Sequence, residues 1–204
     1  VFSPDGNTIV TTSFEKTARL WNRNGELLAE LKGHQGVVNS ASFSPDGIIV
    51  TASWDKTARL WSSNGEMLAE LRGHQGVVNS ASFSRDGIIV TTSEDKTARL
   101  WNRNGELQAE LKGHQGSVKS ASFSPDGNTI VTASDDYTAR LWNRKGELLT
   151  GLQRHQYLVK SAAFSPDGNT IVTASWDGTT RMWNRNPELQ VELKGHQGPV
   201  YSAS

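Results

Sequence analysis

Residues 33–74 read GHQGVVNSASFSPDGIIVTASWDKTARLWSSNGEMLAELRGH. Val37 to Ser44 alternates apolar with small polar residues, the pattern of a half-buried strand. Ser44-Pro45-Asp46-Gly47 predicts a tight turn, because Pro fixes φ and Gly is free to take a positive one. Ile48 to Trp54 is rich in β-branched residues and reads as a second strand. Asp55-Lys56 turns the chain into a third strand, Thr57 to Trp61. Asn64-Gly65 is a strong two-residue hairpin signal, and Met67 to Arg72 forms a weaker fourth strand before Gly73-His74.

The same stretch recurs along all 204 residues. The histidines His34, His74, His114, His155 and His196 follow one another at spacings of 40, 40, 41 and 41. The extra residue falls in a turn, where Pro125-Asp126-Gly127-Asn128-Thr129-Ile130 replaces Pro45-Asp46-Gly47-Ile48-Ile49. An insertion confined to a turn, with phase kept elsewhere, marks a stack of equivalent units. One four-stranded sheet cannot cover both of its faces, and the second and third strands carry bulk on both sides. Stacking the sheets around an axis buries those faces. No segment shows the 3.6-residue apolar period of a helical solenoid. The expected fold class is therefore all-β, with five four-stranded antiparallel repeats in residues 1–204.

These units resemble WD40 repeats over essentially the whole chain. The marks are Gly33-His34 with Trp54-Asp55, and Gly73-His74 through Asp95 to Trp101. The third strand usually ends in Trp-Asp in that family. Here it ends in Trp-Asn (Trp21-Asn22, Trp101-Asn102, Trp142-Asn143, Trp183-Asn184) or Trp61-Ser62, which keeps a polar residue after the Trp. Neighbouring units agree at about four positions in five, so the chain is similar to recently amplified bacterial WD40 arrays or to an engineered consensus. The resemblance implies a β-propeller domain, or a fragment of one, whose units end near the five histidines. Five blades divide a circle at 72° each, against roughly 51° for seven. Pro199 to Ser204 begins a first strand that Val1-Phe2-Ser3 can finish, within one chain or between chains, so self-association through the end strands is expected.

Each unit carries a His, a Ser, an Asp and a Trp at fixed offsets. The sets are His34, Ser53, Asp55, Trp61; His74, Ser93, Asp95, Trp101; His114, Ser134, Asp136, Trp142; and His155, Ser175, Asp177, Trp183. The fifth combines His196 with Ser13, Trp21 and, in place of Asp, Glu15, whose longer side chain should loosen it by ~1 kcal/mol. Ser, His and Asp together invite a hydrolase reading. Five copies of one site and the lack of a Gly-x-Ser-x-Gly elbow oppose it. The resemblance implies instead a structural tetrad: Asp orients His, His donates to Ser, and Ser reaches the Trp indole. With one His per unit, no metal site is expected.

Because most positions repeat, those that change point to function. The residue before the turn Asp reads Phe14, Trp54, Glu94, Asp135, Trp176; a first-strand position reads Asn39, Asn79, Lys119, Lys160, Tyr201; and a third reads Val37, Val77, Ser117, Leu158, Pro199. In WD40 proteins these loops open onto the top rim, where partners bind. The opposite rim is nearly constant, Arg85, Lys145 and Pro187 excepted. Phe14, Trp54, Trp176, Lys119, Lys160 and Tyr201 are therefore the expected partner-binding residues. Lys56, Lys96 and Arg59 read as solvated or stem-packed on blade faces.

Lys+Arg 21 balances Asp+Glu 21, which leaves no basic footprint for nucleic acid and no polybasic membrane anchor. No apolar run approaches the ~18 residues of a spanning helix. Cys 0 rules out disulfides and fits the cytoplasm. No phosphate-binding loop is present, and no cofactor is expected. The expectation is a non-catalytic scaffold or sensor module that binds a protein or peptide. The alternatives are a multivalent carbohydrate-binding propeller and a repeat-amplified or designed chain without an evolved ligand.

Overall fold

The structure is a computed structural model that describes residues 1–203. Nineteen strands form five antiparallel sheets, and no helix occurs among the described residues. Blade 1 holds β1 (Thr8–Thr12), β2 (Ala18–Asn22) and β3 (Leu27–Leu31). Blade 2 holds β4 (Val38–Phe43), β5 (Ile49–Ser53), β6 (Ala58–Trp61) and β7 (Met67–Leu71). Blade 3 runs from β8 (Val78–Phe83) through β9 (Ile89–Ser93) and β10 (Ala98–Trp101) to β11 (Leu107–Leu111). Blade 4 is β12 (Val118–Phe123), β13 (Thr129–Ser134), β14 (Ala139–Asn143) and β15 (Leu148–Leu152). Blade 5 is β16 (Val159–Phe164), β17 (Thr170–Ser175), β18 (Thr180–Asn184) and β19 (Leu189–Leu193). Strands pair in chain order within every blade. Blade 1 has three full strands, and the bridge Phe2↔Ile9 supplies the end of its fourth.

One turn design closes all three hairpins of a blade. In Ser44–Gly47, Ser53–Lys56 and Ser62–Gly65 the fourth residue's N–H donates to the first carbonyl, at 3.0, 3.3 and 3.0 Å. That fourth residue has φ of 85° (Gly47), 69° (Lys56) or 88° (Gly65). Asn64 does not have positive φ. Its turn is thus a type I turn closed by a left-handed glycine, which forms the hairpin that the Asn-Gly pair signalled.

The core lies between blades. Along β5 the side chains alternate, so Ile49 and, across the strand pair, Trp61 face blade 1, while Val50, Ala52, Ala58, Leu60 and Leu71 face blade 3. Trp61 enters a cluster with Val10, Ala18, Leu20 and Leu31 of blade 1, and Trp101, Trp142 and Trp183 repeat the arrangement. All four indoles are at most 2% exposed, and each buried large side chain contributes on the order of 1.5–3 kcal/mol. Arg59 is not solvated: its side chain is 11% exposed, pairs with Glu70 at 3.0 Å and covers Gly33, where a Cβ would collide with the guanidinium.

Candidate functional site

At the top end of blade 2, the turn before β6 and the loop before β4 bring Asp55 and His34 together. His34 Nδ1 lies 2.7 Å from Asp55 Oδ2, and His34 Nε2 lies 2.8 Å from Thr51 Oγ1. Trp61 Nε1 donates to the same Thr51 Oγ1 at 2.9 Å. The geometry recurs with Thr91, Thr132 and Thr173 in the next three blades.

The hydroxyl in the chain is therefore threonine, not Ser53, Ser93, Ser134 or Ser175. Trp61 pairs with Ile49, so Thr51 is its diagonal neighbour on the same face and sits under the indole. Ser53 lies one rung beyond the last β5–β6 pair. Its Oγ donates to the Gly36 carbonyl at 3.1 Å and accepts from Asp55 N–H at 3.1 Å.

The direction of the chain also differs from expectation. A carboxylate only accepts, so the His34 proton sits on Nδ1, and Nε2 of the neutral ring accepts from the Thr51 hydroxyl. Burial pushes His34 below its ordinary value, and the opposing pull of Asp55 does not overcome it. Burial acts to raise Asp55, but hydrogen bonds from Thr57, the Gln35 N–H and His34 outweigh it and hold the carboxyl at about 2. Burial likewise lowers His155, while hydrogen bonds from Thr179, Gln156 and His155 hold Asp177 well below the carboxylate range.

The hydroxyls of the blade 2 tetrad are not free to act as nucleophiles. Thr51 and Ser53 are fully buried, and both hydroxyls are committed to internal partners. No group of three or more His, Asp or Glu that could hold a metal gathers among the described residues.

The fifth set is not assembled. Trp21 Nε1 donates to Thr11 Oγ1 at 2.8 Å, again a threonine rather than Ser13. His196 stands exposed at the far end of the chain, and Glu15 pairs with Arg19 at 3.2 Å. The two halves sit on opposite end blades, so no single chain brings them into contact here.

On the top rim, aromatic side chains gather on blades 4 and 5. Tyr137 and Tyr157 stack with centroids 5.7 Å apart and planes at 17°, and Tyr157 stacks on Trp176 at 6.4 Å and 22°. Tyr201 meets Trp176 edge-on at 5.5 Å. Lys160 Nζ lies 4.2 Å from the Trp176 ring centroid and 2.7 Å from Asp135, which Lys119 also meets at 3.2 Å. Both lysines thus share one carboxylate and are largely covered rather than held out to solvent. Phe14 and Trp54 form a separate edge-to-face pair at 6.4 Å on blades 1 and 2. Tyr137 and Tyr157 were not among the expected site residues, although the sequence holds the signal. Tyr137 replaces Lys56 and Lys96 of other units, and Tyr157 replaces Gly36 and Gly76.

A family model described as WD domain, G-beta repeat matches residues 1–22, 25–62, 65–102, 105–143 and 146–184. Comparison with curated proteins returned no match.

Proposed function

The chain belongs to the WD40-repeat family, and from that premise we propose that it is a non-catalytic scaffold whose partner docks on the aromatic rim of blades 4 and 5. Repeats of this family generally mediate protein interactions. The observation that carries the reading is the stacked run Tyr137, Tyr157 and Trp176, with Tyr201 at its end. Tyr137, Tyr157 and Tyr201 are 44%, 48% and 65% exposed, so their rings offer apolar area already held in place. Rigid aromatic faces lose little entropy on binding and dominate interface energetics. Tyr137 holds its ring at φ 71°, where blade 5 has Gly178, so backbone strain is accepted at this corner. Lys119 and Lys160 serve the site by clamping Asp135 and Trp176. Asp135 offsets one of their two charges and both ammonium groups are largely covered, so the aromatic rim favours an extended segment bearing proline or aliphatic side chains. The separate Phe14–Trp54 pair offers a second, smaller aromatic contact on the first two blades. No helix is long and apolar enough to cross a membrane among the described residues, and the cysteine-free chain supports a cytoplasmic setting.

The test is selection of peptides from a random displayed library, followed by affinity measurement. Tyr157→Ala and Trp176→Ala are expected to weaken the selected peptides by more than about tenfold with little change in Tm. Lys145→Ala, on the opposite rim, should leave them unaffected. Selected peptides that bind both rim variants as well as the parent would overturn the proposal. So would a glycan array that binds through the same rings while no peptide does.

A further inference from the structure

The rim opposite the aromatic run carries an ion pair where blades 2 and 3, 3 and 4, and 4 and 5 meet. In each, the Arg two residues after the buried Trp reaches an Asp in the first turn of the blade before it. Arg103 grips Asp46 with both terminal nitrogens, at 2.5 and 2.8 Å. Arg144 grips Asp86 at 2.7 and 2.8 Å, and its Nε donates to the Gly127 carbonyl of its own blade at 2.5 Å. Arg185 holds Asp126 at 2.8 Å. This place in the repeat is therefore shaped for a guanidinium.

Between blades 1 and 2 the arginine is missing, because Ser63 stands at its position. The vacancy comes from that one internal replacement. The turn that bears Asp5 is closed by its own bonds, with Gly6 N–H on the Ser3 carbonyl at 2.9 Å. A cavity of 340 Å³ opens there, bordered by Asp5, Phe43, Pro45, Gly47 and Ser63. The guanidinium groups of Arg103 and Arg144 cover Gly87 and Gly127, whereas nothing covers Gly47, the equivalent glycine of blade 2. Asp46 also borders the cavity, but Arg103 already pairs with it.

Asp5 has the setting of a paired carboxylate without its partner. Ser3 Oγ and Asn7 N–H donate to its Oδ1 at 2.6 and 3.0 Å, as Ser124 Oγ and Asn128 N–H donate to Asp126 Oδ1 at 2.5 and 3.1 Å. On Asp126 the second oxygen takes Arg185; on Asp5 it takes the Asn7 side-chain amide at 2.9 Å. Asn7 is exposed, so its amide can swing away and be replaced by a stronger, charged donor. The bonds from Ser3 and Asn7 hold Asp5 below its ordinary value, so it is ionised at neutral pH.

We propose that this notch is a second binding site, which takes the arginine side chain of a partner peptide. The guanidinium seats on Asp5 in place of the Asn7 amide and reaches the Gly47 carbonyl, as Arg144 reaches that of Gly127. Its methylene stem lies along Phe43 and Pro45. Lysine, a compact point charge, cannot bridge both acceptors with a planar fork. The site does not depend on the aromatic rim, which lies at the other end of the blades.

Titration of the full chain with an acetylated, amidated Gly-Arg-Gly peptide, followed by NMR, tests the assignment. Saturable shifts are expected at the Gly47 and Ser63 amides and the Asn7 side-chain amide, with Kd on the order of millimolar for one exposed contact. The same peptide with lysine, or with citrulline as a neutral isostere, should bind at least about fivefold more weakly. Ser63→Arg restores the residue found in the other blades and should abolish the shifts by filling the notch. Asp5→Asn should weaken binding about as much as citrulline does, and Trp176→Ala should leave it unchanged. Absence of shifts at Gly47 overturns the proposal. So do equal shifts from the citrulline peptide, shifts that persist in Ser63→Arg, or shifts spread alike over every exposed carboxylate.

Discussion

Replacing Thr51 by valine tests whether the hydroxyl, rather than the bulk, of this residue holds a blade together. Thr51 is fully buried, and Val nearly matches its shape, so no cavity forms. Two buried groups lose their partner: the Trp61 N–H, now 2.9 Å from Oγ1, and His34 Nε2, now 2.8 Å from it. Each orphaned group costs about 1–3 kcal/mol. The added methyl returns up to ~0.8 kcal/mol, which leaves a net loss of roughly 1–5 kcal/mol. Thr51→Ser does the reverse, keeping the hydroxyl and losing a buried methyl, at a cost of about 1 kcal/mol. Urea unfolding at neutral pH with an unchanged m-value gives both numbers. In thermal scans they correspond to falls of roughly 2–20 °C for Val and about 2–4 °C for Ser. The ordering is decisive. If Thr51→Val lies within ~0.5 kcal/mol of the parent, or if Thr51→Ser is the less stable of the two, the threonine-centred tetrad is refuted.

Two further outcomes follow from the same geometry. His34 and His155 are held neutral by burial, so the unfolded chain binds protons more readily below its ordinary His value of 6.5. Stability should be full above that pH and decline as pH falls through it. A second loss, on the order of 2 kcal/mol for Asp55, should come as pH falls from 3.8 towards about 2. Urea midpoints that stay flat between neutral and mildly acidic pH contradict the first. Lys96 sits at φ 71° where blade 5 has Gly178, and a left-handed L-residue costs about 1 kcal/mol or more. Allowing for the chain entropy of glycine, Lys96→Gly should gain up to ~1 kcal/mol and Gly178→Lys should lose a similar amount in thermal scans. A fall in Tm for Lys96→Gly would count against the strain at this turn.

Much of the architecture was legible in the repeat. The 40- and 41-residue spacing of the histidines, the period-2 strands and the turn residues are local signals, and they determine five stacked antiparallel blades. The residue types of the tetrad were legible too, but not which hydroxyl joins it. Thr51 and Ser53 are two residues apart and share a face of the strand, so the pattern alone cannot separate them. The diagonal neighbour of the indole is decided by the register of β5 on β6. The direction of the hydrogen bonds was likewise decided by where Asp55 lies relative to the ring.

The rim divides in the same way. Sequence variation marked Trp176 and Lys160 as unusual. Only packing between successive blades stacks Tyr157 between Trp176 and Tyr137, turns Lys160 inward and pairs it with Asp135. The repeat by itself determined what each blade is, because strand period and turn chemistry act over a few residues. Tertiary structure decided which side chains meet and which faces stay open, because those depend on the register and stacking of strands far apart in the chain.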